Sequence, residues 1–206
     1  MKKIRFFSAA LIIALFIFGS ISCGTNPAGS DDEVAVLDTS YGRIVIEFYP
    51  KDAPKHVANF KQLAQTNFYD GTRFHRLVKN QGKDIAIQGG DPNTINGNPA
   101  TWGMGQPNQK TVPAEFSKNL KHLRGVISMA RKANDINSGT SQFFICVTDY
   151  PEWDGQYSVF GKVIDGMKVV DSIVRAPIMA NTDRPVDAVI VNKVTIVKRD
   201  QVNNTQ

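Results

Sequence analysis

The chain has 206 residues, 42% hydrophobic and 21% charged, an ordinary globular composition of a length that suits one domain with its own core. The formal net charge of +5 includes Lys2, Lys3 and Arg5 in an acid-free leader, so the chain beyond residue 22 carries only +2. That small excess, with no basic stripe interleaved with aromatics, argues against a nucleic-acid partner. His56, His75 and His122 are the only histidines and none has paired ligand spacing with another His or Cys, which argues against a metal site.

The basic start is followed by an almost wholly apolar run over residues 6–18, then Gly19, Ser20, Ile21, Ser22 and Cys23. This reads as a secretory signal, too short and wrongly flanked for a dedicated membrane span. Small residues just ahead of Cys23 resemble a bacterial lipobox, with Ser20 where an aliphatic residue is usual. In that motif the chain is cut before the cysteine and the thiol is diacylated, which would fix the protein to a bilayer surface. An ordinary cleaved signal and an uncleaved anchor are the alternatives. Lipidation of Cys23 leaves Cys146 without a disulfide partner, and its apolar surroundings mark it as an inert buried thiol. The expected division is a signal peptide over 1–22, the lipidated cysteine and a Gly/Pro/Ser/Asp tether over 23–33, a folded domain over 34–199 and a disordered tail over 200–206. The expected location is a bacterial membrane surface facing the periplasm or cell exterior. Nothing in the sequence demands more than a monomer.

Within the folded part, residues 34–37 and 43–49 read as strands joined by a turn at Ser40, Tyr41 and Gly42, with one face buried through Ile44, Ile46 and Phe48. Asp52 is a good helix N-cap and Pro54 suits a first turn. Val57, Phe60, Leu63 and Ala64 then recur at helical spacing up to about Asn67, so this helix looks like a plug for one end of a barrel. Residues 72–78 and 85–88 read as strands with a polar loop over 79–84 between them. Residues 91–116 are rich in Gly, Pro and Asn without periodicity, and loops of that length in a compact domain are usually functional. Strands are expected over 126–130, 143–147, 158–163 and 189–197, and a second helix over 166–174. Many short strands, few helices and glycine-rich turns point to a mainly β fold, a closed antiparallel barrel.

Six ordered motifs narrow the reading: Phe74-His75-Arg76, Gln88-Gly89-Gly90-Asp91, Pro113-Ala114-Glu115-Phe116, Ser128-Met129-Ala130, Ser141-Gln142-Phe143-Phe144-Ile145 and Val159-Phe160-Gly161-Lys162-Val163. Through them the chain resembles the cyclophilin-type peptidyl-prolyl isomerases over about residues 34–198. The resemblance implies an eight-stranded barrel capped by two α-helices, with a proline-binding groove on its outer face. It implies that Arg76 is catalytic, that Gln88 and Gln142 orient arginine and substrate, and that Phe144 is the floor of the proline pocket. It places Ala130 beside the preceding substrate backbone, Tyr157 where many members have histidine, and Trp153 at a leucine of the pocket wall. Ile85 and Ala86 stand where the family has a Phe-Met pair, Arg131 where a polar uncharged residue is common, and Glu152 where an aromatic is expected. These departures predict a shallower pocket with one polar rim, reduced turnover and poor binding of cyclosporin-like inhibitors.

No cofactor is implied. The expected partners are proline-containing segments of unfolded or flexible exported proteins. His75, beside the arginine, reads as a structural strand residue. A binding module that holds such segments as a chaperone, with little catalysis, is the competing reading, favoured by Ile85, Ala86 and Glu152.

Overall fold

The computed structural model describes residues 32–204. The expected signal sequence, Cys23 and most of the tether lie outside the described residues. Among the described residues no helix is long and apolar enough to cross a membrane.

Strands β1 (Glu33–Thr39) and β2 (Gly42–Phe48) form a hairpin, followed by helix α1 (Pro54–Gln65). A second hairpin joins β3 (Arg76–Asn80) to β4 (Lys83–Gly89), and a one-turn helix α2 (Asn93–Asn96) opens the long connection to β5 (Val126–Met129). Then come β6 (Phe143–Cys146), β7 (Ser158–Asp165), helix α3 (Met167–Val174) and β8 (Val191–Lys198). The eight strands form one antiparallel sheet in the order β3-β4-β6-β5-β7-β2-β1-β8.

The expected closed barrel is corrected to an open half-barrel. No ladder joins the edge strands β3 and β8 among the described residues. They approach through residues 71–74 and 189–191: an isolated bridge pairs Arg73 with Ile190, Phe74 N–H donates to the Val189 carbonyl at 2.9 Å, and Val191 N–H donates to the Thr72 carbonyl at 2.7 Å. The reason lies in the segment preceding β8. Leu77 N–H, which a closed ladder would use, donates instead to the Asp183 carbonyl at 2.7 Å.

Alternation along the strands sends one side-chain set inward. Phe74, Phe143 and Phe160 are fully buried there; Phe60 of α1 meets Phe143, Phe160 and Tyr69, and Phe74 meets Phe143, with ring centroids 4.9 to 5.9 Å apart. Val57, Phe60 and Ala64 of α1 and Val170, Ile173 and Val174 of α3 join the same core, as their helical spacing requires.

Three local expectations change. Residues 79–84 do not loop out; they are the tip of the β3–β4 hairpin. Lys79 faces Asp84 across it at 2.8 Å, and Gln81 and Gly82 take the positive φ angles (49° and 79°) of a two-residue turn. The tail expected to be disordered continues as a 3-10 helix over Arg199–Asn204, where the Val202 carbonyl accepts from Arg43 at 3.0 Å. Asp52 is not the cap of α1. Ala53 holds that position without a side-chain bond, and Asp52 instead accepts from Ser117 Oγ at 2.7 Å. The open helix end is closed by Glu115, whose carboxylate accepts from the Lys55 and His56 amides at 3.1 and 3.0 Å and contacts His56 Nδ1 at 2.7 Å. A carboxylate at a helix N-terminus satisfies orphan N–H groups and complements the helix dipole. Glu115→Ala is therefore expected to destabilise the fold by about 1–3 kcal/mol in urea denaturation, and Asp52→Ala by less. Equal losses would contradict this assignment of the cap.

Candidate active site

The pairing register brings the site together. Arg76 lies opposite Gln88, Gln88 opposite Phe144, and Phe144 opposite Ser128. Residues directly opposite in antiparallel strands share a face. These four therefore form one row across β3, β4, β6 and β5, on the face away from the core. Phe143 and Phe144 split as the strand period demands. Phe143 enters the main core, and Phe144 belongs to a separate outer cluster with Ile85, Ala86 and Cys146.

Phe144 is the floor of an outer cleft of about 490 Å³. Trp153 and Tyr157 stand edge-on to it, with centroids at 4.8 and 5.3 Å, and Ala130 lines the same cleft. Behind the floor His122 stacks on Phe144 at 6.0 Å, held by Asp154 at 3.0 Å through Nδ1 and by Ser128 Oγ at 3.2 Å through Nε2. Burial lowers the His122 pKa below its ordinary value, partly offset by Asp154, so the ring favours the neutral form. No spacing in the sequence marks His122 as part of this pocket; only the fold places it there.

Arg76 lines the cleft with its side chain about half exposed, and its Nε donates to Asp183 Oδ2 at 3.0 Å. Its expected tie to the glutamines takes a different form. Gln88 Nε2 donates to Gln142 Oε1 at 3.0 Å, and Gln142 Nε2 donates to the Gly103 carbonyl at 2.9 Å. The two amides are thus locked to each other and to the long loop, while the guanidinium is held by Asp183. Gln142 lines an adjoining groove of about 360 Å³, which shares Gln88, Gly103, Ala130 and Arg131 with the cleft.

The long loop is pinned by buried Asp91, whose carboxylate accepts from the Asn93 and Gly103 amides at 2.9 and 2.5 Å. It carries Trp102 and Gly103 to the cleft wall. Gly90, just before it, has φ +82°, and a Cβ there would lie 2.6 Å from the Ser141 carbonyl. Only glycine lets β4 end this close to the start of β6. His75 is buried in the cleft wall, and neither ring nitrogen has a hydrogen-bond partner among the described residues. Burial lowers its pKa as well.

Two expected substrate contacts are corrected. Ile85 and Ala86 do not line the cleft; they are buried in one apolar cluster with Cys146 and Phe144, which leaves them no exposed face to offer a peptide. Glu152 forms no polar rim. It is exposed outside the cleft, and its neighbour Trp153 fills the wall. Arg131 lines the cleft, its guanidinium 4.8 Å over the Tyr157 ring. Thr182, Asp183 and Arg184 also line the cleft. Sequence reasoning missed them because their segment has no periodicity and reaches the site only by pairing with β3. Burial pushes the Cys146 thiol up to about 12, which keeps it protonated and inert.

The family model for cyclophilin type peptidyl-prolyl cis-trans isomerases matches residues 34–196. The chain belongs to that family. It is 40% identical over 162 residues to peptidyl-prolyl cis-trans isomerase-like 3 of Gallus gallus, covering 78% of this chain and 93% of the relative. It is 38% identical over 172 residues to a probable peptidyl-prolyl cis-trans isomerase of Brucella abortus, covering 82% of this chain and 85% of the relative. The crystal structure of a Cryptosporidium parvum cyclophilin type isomerase, determined in the presence of the dipeptide Ala-Pro, superposes with a TM-score of 0.69 at 30% identity, over 80% of this chain and 99% of that one.

Within this cyclophilin, Asp183 restrains the arginine from outside the strand row. Removing it frees a long side chain to sample other rotamers. Asp183→Ala is expected to lower kcat about tenfold with little change in KM, in the range of positioning losses. An unchanged kcat would show that the ion pair is a passive surface contact.

Proposed function

We propose that the protein is an exported, lipid-anchored peptidyl-prolyl isomerase that acts on proline-containing segments of flexible or unfolded exported proteins. Arg76 is the catalytic donor in this reading, Gln88 and Gln142 are the amides that position donor and substrate, and Phe144 is the seat of the proline ring. Ala130, Arg131, Trp153 and Tyr157 line the path of the peptide. The observation that carries this reading is the single cleft shared by the Arg76 guanidinium and the apolar Phe144 floor, on the same strand row. The Ala-Pro dipeptide used with the Cryptosporidium relative has the chemistry that such a cleft would take.

The barrier to rotation is amide resonance, about 20 kcal/mol for an Xaa-Pro bond. Twisting the bond breaks that resonance, and the proline nitrogen gains lone-pair character. A fixed guanidinium beside that nitrogen stabilises the twisted amide more than either planar isomer, and such a difference is what lowers a barrier. Arginine suits the role because its charge is permanent and its donors are planar. A thousandfold acceleration needs only about 4 kcal/mol. One preorganised charged hydrogen bond in a partly dry cleft, with the ring held in place, is of that size. The Trp153 and Tyr157 edges grip the ring while the other side of the bond turns.

A chaperone module with weak catalysis is the second reading. It rests on Ile85 and Ala86, which leave the floor to Phe144 alone. A protease-coupled proline-peptide assay separates the two. Arg76→Ala is expected to lower kcat/KM about 10²- to 10³-fold, the usual loss on removing a transition-state donor. Equal rates for variant and wild type would leave only the binding module.

The anchor rests on the basic leader, the apolar run and Cys23. Two or more acyl chains suffice for stable attachment to a bilayer. Cys23→Ser is expected to move the protein from the membrane pellet to the soluble fraction and to abolish labelling by a radioactive fatty acid. Unchanged fractionation and labelling would refute lipidation at this residue.

A further inference from the structure

Four charged side chains line the cleft: Arg76, Arg131, Asp183 and Arg184. Arg76 and Asp183 offset each other through their 3.0 Å contact. Arg131 and Arg184 make no ion pair with a carboxylate among the described residues. Their N–H groups are taken up by neutral carbonyls instead. Arg131 donates to the carbonyls of Gln156, Lys132 and Ala133, each at 2.9 Å, and Arg184 donates to the Pro99 carbonyl at 2.7 Å. Each guanidinium also lies on an aromatic face, Arg131 on Tyr157 at 4.8 Å and Arg184 on Trp102 at 4.7 Å.

Carbonyls and ring faces orient a guanidinium without cancelling its charge. Both arginines are partly buried, so water screens them less than it would at an open surface. They come from different parts of the chain, Arg131 beside Tyr157 and Arg184 beside Trp102, with the Phe144 floor in the same cleft. The adjoining groove adds Lys132 and Asp135, which are opposite in sign. The substrate channel therefore carries two fixed, uncompensated positive charges. A peptide threaded through it meets them with the residues that flank its proline, not with the proline itself.

We infer that the protein selects Xaa-Pro bonds flanked by acidic side chains, with Arg131 and Arg184 as the residues that determine this specificity. The inference rests on the isomerase reading and adds a substrate class to it: proline segments carrying Asp or Glu within a few residues of the bond. Lys- or Arg-flanked prolines are disfavoured, because a like charge must approach two guanidinium groups that no ion pair offsets. The contribution is electrostatic and works through association and ground-state binding, so it acts on kcat/KM and weakens with salt.

The test measures isomerisation by NMR exchange on peptides with a common Ala-Pro centre, flanked on both sides by Glu, Gln or Lys. At low ionic strength the wild type is expected to show a Glu-to-Lys ratio in kcat/KM on the order of tenfold, the effect of a unit charge near a half-buried partner. That ratio should shrink in 0.5 M salt, a condition chosen to make the screening length only about 4 Å. Arg131→Gln and Arg184→Gln should each reduce it, and the double variant should bring it close to one. Because the ratio is taken within each protein, partial misfolding of a variant does not enter it. A wild-type ratio near one, a preference for Lys, or a ratio unchanged in the double variant would overturn the inference. Those outcomes leave the isomerase reading standing, whereas failure to accelerate any of the three peptides would overturn that reading itself.

Discussion

A straight row of side chains across four strands is the constraint on which the site depends. Strand alternation has a period of two, so a slip of one residue in any of the ladders would turn its member of the row into the core. The Arg76–Gln88–Phe144–Ser128 register is therefore as much a property of the buried face as of the cleft. Phe143 and Phe160 pack against Phe60 on the inner side and Phe74 packs against Phe143, and that packing fixes which residues remain outside. The core contributes to chemistry by setting a register and need not touch substrate to do so.

On that row the outer face is built in two materials. One half is aromatic: Phe144, Trp153 and Tyr157, backed by His122, which is tied to Asp154 and Ser128. The other half is polar and held by long-range contacts. Asp183 reaches Arg76 from the segment before β8, and Gly103 reaches Gln142 from the loop pinned by Asp91. The open edge of the half-barrel follows from the same arrangement. The backbone of Asp183 occupies the N–H of Leu77 that a closing ladder would have used, and its side chain holds the neighbouring arginine.

Much of this was legible in the sequence, and what was not has a physical cause in each case. The inward residues of β2, α1 and α3 announce themselves by period, and the motifs around Arg76, Gln88 and Gln142 mark the cleft. The hairpin tip at 79–84 reads as a loop because both its faces are polar; it projects past the core, and its pairing is settled by the Gln81-Gly82 turn and the Lys79 to Asp84 contact. Asp52 has the right residue type and position for a cap, yet Glu115 from far along the chain takes the helix end. Ile85 and Ala86 stand at positions that the resemblance puts in the pocket wall, but both are buried with Phe144 and Cys146, and burial is set by packing that the motif does not reveal. Asp183 and Arg184 come from a stretch without pattern, and only tertiary pairing brings them to the cleft.

The central claim is that the Arg76 guanidinium stabilises the twisted amide more than the planar one. Exchange NMR on a proline peptide at saturating enzyme reads the rotation rate of bound peptide separately from affinity. The claim predicts that Arg76→Ala slows this on-enzyme exchange about a hundredfold or more while affinity changes only a few-fold. A loss confined to affinity, with bound exchange as fast as in the wild type, would contradict it.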